Sequence, residues 1–79
     1  MDKYERYIFR IELMRENLSL LSARASNSSN KNGMKLAKEI WDFATSLLTE
    51  DYNSDEAFEK AQKKYSEFHK SVEELEKRG

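Results

Sequence analysis

Between residues 4 and 25 the apolar side chains Tyr7, Ile11, Met14, Leu18, Leu21 and Ala25 return at alternating intervals of four and three. At about 100° per residue these positions form one seam on a helix, the kind that packs against neighbouring helices. Tyr4 and Ile8 are expected to widen that seam. Phe9, Leu13 and Leu20 fall on nearly the opposite side, so one helix carries two apolar faces. A small monomer needs only one of them, and the second is expected to meet a partner, burial by the chain's own second and third helices being the alternative.

The rest of the chain allows the same element twice more. Proline is absent and the two glycines stand at positions 33 and 79, so only polar breaks can interrupt a helix. Asp2 can cap the first helix, with Glu5 three residues on in capping-box spacing. The run Ser26, Asn27, Ser28, Ser29, Asn30, Lys31, Asn32, Gly33 ends it, because short polar side chains compete for backbone hydrogen bonds and glycine tolerates positive φ. We read this run as a mobile connector, a ligand-binding loop being the alternative. Leu36, Ala37, Ile40, Trp41, Ala44, Leu47 and Leu48 then cover nearly half of a second helix, with Trp41 toward one margin and expected in the core, a binding anchor being the alternative. After an acidic break over residues 49–53, Asn53 or Ser54 can cap a third helix. Asp55 and Glu56 suit the positive end of its dipole, and Lys77 and Arg78 suit its last turn. Its stripe is Phe58, Ala61, Tyr65, Phe68, Val72 and Leu75.

The expected fold is a single all-α domain over residues 1–79, with helices at about 2–25, 34–49 and 54–78. A three-helix bundle is the first architecture. A helical hairpin with a third amphipathic helix, completed by dimerisation, is the second. The middle helix is the short one, so in an up-down-up bundle the outer two are expected to project past it and leave part of their stripes uncovered unless another chain covers them.

Composition excludes several kinds of chemistry. Without cysteine there is no disulfide framework, thiolate metal site or thiol nucleophile. The single histidine, His69, lies one turn before Glu73, but a Glu-x-x-His metal pair would need glutamate where the chain has Ser66. Glu73, Glu74 and Glu76 alternate with lysines in the manner of a solvated helix. We therefore assign no catalytic residue, no metal ligand and no cofactor, and expect no enzyme activity. Fourteen basic and fifteen acidic side chains give a net charge of −1, so no overall field draws the chain to nucleic acid or anionic lipid. No apolar run approaches the ~20 residues of a membrane span, and the acidic start lacks the regions of a signal peptide. A soluble, unprocessed, cytoplasmic protein is expected.

Function must then lie in surfaces. The leading expectation is a non-catalytic helical interaction protein, a small regulator, adaptor or inhibitor that docks through Phe9, Leu13 and Leu20 onto its own copy or a larger target protein. Its size suits a phage or mobile-element product that blocks a host protein. The alternative is a small nucleic-acid-binding regulator using Lys3, Arg6, Arg10 and Arg24 on a flank of the first helix, extended by Lys31, Lys35 and Lys38.

Overall fold

The computed structural model describes residues 2–49 and 54–78. Three helices, α1 (Lys3–Ser26), α2 (Gly33–Ser46) and α3 (Asp55–Arg78), form an elongated bundle of 43 × 18 × 17 Å. They run up, down and up. Ser22 of α1 donates its hydroxyl to the Ala37 carbonyl of α2 at 3.0 Å, which sets the antiparallel register of that pair. Lys3 and Arg24, near opposite ends of α1, reach Asp55 and Glu76, each 52 positions further on, so α3 runs parallel to α1.

The caps follow from the sequence. The Asp2 carboxylate accepts from the amides of Tyr4 and Glu5 at 2.9 and 3.0 Å, and the Ser54 hydroxyl accepts from Ala57 at 3.2 Å. Asn53, the other candidate cap, lies outside the described residues, as does Gly79. The polar run after α1 is tied down by its own side chains: the amide of Asn30 donates to Ser28 Oγ and that of Asn32 to Asn30 Oδ1. Gly33 has no positive φ, contrary to the sequence expectation. Its role is close approach, since a Cβ there would stand 2.2 Å from the Ala25 carbonyl oxygen.

The second helix ends at Ser46, three residues before the expected position 49. Short hydroxyl side chains take the last carbonyls: Thr45 donates to Trp41 O at 2.9 Å and Ser46 to Phe43 O at 2.6 Å. The amides of Leu48 and Thr49 then reach only three residues back, to Thr45 and Ser46, and the chain leaves in a tight turn.

The largest completely buried side chains, Leu18, Ile40 and Val72, come one from each helix, and around them lie Ile11, Met14, Leu21, Ala25, Ala37, Ala44, Leu47, Phe58, Ala61 and Leu75. Ala37 and Ala44 are small, which lets α2 pack most closely on α1. No polar or charged residue is buried among the described residues. The expected overhang of the outer helices is closed within the chain only in part. Both project at the same end, where Tyr7 stacks on Phe58 with ring centroids 4.2 Å apart and planes 4° from parallel.

Several expected core residues are not core. Tyr4 and Ile8 are exposed, because the first turns of α1 run past the end of α2 and nothing from α2 reaches them. Trp41 is 57% exposed: Ala37, Ile40 and Ala44 bring α2 onto α1, which turns the flank carrying Trp41 outward, and Leu48 is exposed with it. Phe68, by contrast, does pack against the core, though only half-buried, its ring 5.6 Å from that of Phe43 where α2 and α3 meet only sparsely.

Candidate functional site

The bundle sorts the charges of α1 by side. Lys3 Nζ lies 2.7 Å from Asp55 Oδ2, Arg24 holds Glu76 through both Nε and a terminal nitrogen, and the Arg10 guanidinium covers the Phe58 ring at 4.7 Å. Three of the four cations of the nucleic-acid alternative are therefore spent on α3. Arg6, the fourth, makes no ion pair or ring contact among the described residues. The carboxylates Glu5, Glu12 and Glu16 occupy the solvent-facing arc away from α3, and none of them is in an ion pair among the described residues.

The two clamps at the ends of α3 make its attachment sensitive to acid. Hydrogen bonds from Lys3 and then from the Tyr7 hydroxyl, which donates at 2.7 Å, hold the Asp55 carboxyl below its ordinary value, and Arg24 does the same for Glu76. A lowered carboxyl pKa contributes stability that is present above the unfolded value, about 4, and is lost as pH falls through the folded value. The melting temperature should therefore drop as pH is lowered below about 4. The double variant Asp55→Asn, Glu76→Gln should be less stable at pH 7 and lose less on acidification. Equal acid sensitivity of the two proteins would show that the clamps do not contribute. Both sites face solvent, so the expected effect is modest.

The second apolar face of α1 stays uncovered: Phe9, Leu13 and Leu20 are 56%, 45% and 64% exposed. This removes the alternative in which α2 and α3 bury them. The sequence reading missed their counterpart on α2, where Met34 and Trp41, seven residues apart, point outward and Leu48 follows after seven more. The signal was available: a face covering nearly half of a helix is wider than one neighbouring helix conceals. Every exposed large apolar side chain among the described residues lies on α1, on α2 or in the turn after it, and none lies on α3.

A groove runs beside Trp41 and Leu48, with Phe9, Leu13, Leu20 and Met34 outside its lining. About 450 Å³ in volume and open along its length, it lies on the α1–α2 pair between Glu12, Arg15, Glu16 and Ser19 on one wall and Trp41, Ala44, Thr45 and Leu48 on the other. Glu16 is three residues after Leu13 and four before Leu20, and Glu12 is three after Phe9, so both carboxylates border the Phe9, Leu13, Leu20 stripe as well as the groove. The face thus reads across as an apolar rail on α2, an acidic strip on α1 and a second apolar rail on α1. Arg6 edges the second rail toward α3.

His69 lies apart from this face, on α3, with Nδ1 3.0 Å from Glu73 Oε1 in an exposed pair one helical turn apart. Glu76 belongs to the Arg24 clamp. No helix among the described residues is long and apolar enough to cross a membrane. Comparison with family models, with curated proteins and with solved structures finds no match to this chain.

Proposed function

We propose that this chain is a non-catalytic helical docking module whose α1–α2 face, on the side away from α3, binds a protein partner, making it a small regulator, adaptor or inhibitor of a larger target. The observation that supports this reading is the segregation of exposed large apolar side chains: among the described residues they lie on α1, on α2 or in the turn after it, two of them, Trp41 and Leu48, lining a groove, while none lies on α3. Contiguous exposed apolar surface of this kind marks interaction sites. Nucleic-acid binding is less favoured, because Lys3, Arg10 and Arg24 are engaged by α3 and the open face carries carboxylates.

Leu13→Asp tests the reading. The side chain is on the outer rail, so helicity and melting should be retained while partner binding, measured by calorimetry against the target captured from the native host, weakens by several kcal/mol, about 3 or more. An unfolded variant would show that Leu13 supports the core. A folded variant with undiminished binding would show that the rail is idle.

A further inference from the structure

We infer that the open α1–α2 groove receives a cationic amphipathic helix of a partner protein, an inference that depends on the docking role proposed above and names the chemistry of the partner. The molecule already contains one example of such seating. α3 is an amphipathic helix lying along one side of the α1–α2 pair, with Phe58, Ala61, Val72 and Leu75 buried and charged flanks outside. The groove beside Trp41 lies on the other side of the same pair and is unfilled. A helix laid there would place apolar residues at spacings of three and four against Trp41 and Leu48, with Phe9, Leu13 and Leu20 beyond the far edge of the groove.

Charge selects among the helices that could fit. Between the rails lie Glu12 and Glu16, with Glu5 one turn before Phe9 on the same arc, and the groove lining holds one cation, the half-buried Arg15. Of the other cations of α1, Lys3, Arg10 and Arg24 are held on the opposite side by Asp55, the Phe58 ring and Glu76, and Arg6 lies outside the groove lining. Lysines or arginines at the edges of the incoming apolar stripe meet the acidic strip. An anionic helix would bring like charges together as the groove excludes water. A second copy docked antiparallel through the same face would set its own Glu12 and Glu16 against this strip, and nucleic acid phosphates would meet it in the same way.

Trp41 reports on the groove, being the single tryptophan and lining it. The probe is a pair of tryptophan-free peptides of about 15 residues, the length at which isolated helices begin to persist, sharing one leucine stripe and differing only in lysine or glutamate at every flanking position. The lysine peptide should shift Trp41 emission to the blue and saturate, binding at least about tenfold more tightly than the glutamate peptide. The double variant Glu12→Lys, Glu16→Lys, with helicity verified by circular dichroism, should reverse that preference. Equal affinity for the two peptides, or a preference unchanged by the charge reversal, would overturn the cationic assignment while leaving a docking groove in place. Absence of binding by either peptide would overturn the inference, and the Leu13→Asp measurement would then decide separately whether the docking role survives. A blue shift that grows with protein concentration alone, or on adding an oligonucleotide, would overturn it in favour of a second copy or of nucleic acid.

Discussion

Truncating Leu18 to alanine should lower folding stability by about 2–5 kcal/mol. Leu18 is 0% exposed at the middle of the α1 seam, in a core whose largest fully buried side chains come one from each helix. Its removal leaves a cavity among Ile40, Val72 and their neighbours that three short helices cannot readily collapse. A domain of this size has about 0.05–0.15 kcal/mol of stability per residue, so the loss is a large fraction of the total. Leu20, two residues away on the outer rail, is the control. Leu20→Ala should change stability by no more than about 0.5 kcal/mol. Urea denaturation of both variants measures this, and similar midpoints would mean that the two faces of α1 are assigned wrongly.

Gly33→Ala is expected to be destabilising although it replaces glycine in a helix. Two effects compete. Alanine is favoured over glycine by about 1 kcal/mol within a helix, and less at the first position. Against this, the added Cβ would stand 2.2 Å from the Ala25 carbonyl oxygen and 3.3 Å from its carbon, and these main-chain atoms cannot rotate out of the way as a side chain would. Ala25 is itself fully buried at the end of the α1 seam, so the turn must open to admit the methyl group. The clash should prevail, with a net cost of about 1–3 kcal/mol typical of overpacking. A higher urea midpoint for Gly33→Ala than for the parent chain would show that the turn relaxes at no cost and that the close approach is unimportant.

Much of the architecture was legible in the residues. The alternation of four and three that places Ile11, Met14, Leu18, Leu21 and Ala25 on one side of α1 is a property of helix geometry, and those five residues are buried. Asp2 and Ser54 could be read as caps because their oxygens need only the next turn of backbone as partner. The misread positions are those at which a side chain's fate depends on where a neighbouring helix stops. Ile8 joins the seam by angle, yet α2 does not extend far enough to cover it. Trp41 has an ample apolar surface, yet a close α1–α2 contact through Ala37 and Ala44 leaves it outside.

The two apolar faces of α1, the three helices and the caps that open α1 and α3 were determined by the sequence itself, because periodicity, capping and the absence of proline act over a few residues and need no knowledge of the rest of the chain. Only the tertiary structure decided which face stays open, how α2 contributes Trp41 and Leu48 to it, and what charge it carries. Lys3, Arg10 and Arg24 read in sequence as a basic flank, but in the bundle they lie against residues some 50 positions away, leaving Glu12 and Glu16 to define the exposed surface. The physical reason is that an isolated helix exposes all of its charges equally, whereas packing a third helix parallel to the first places ions within reach of partners on one side only.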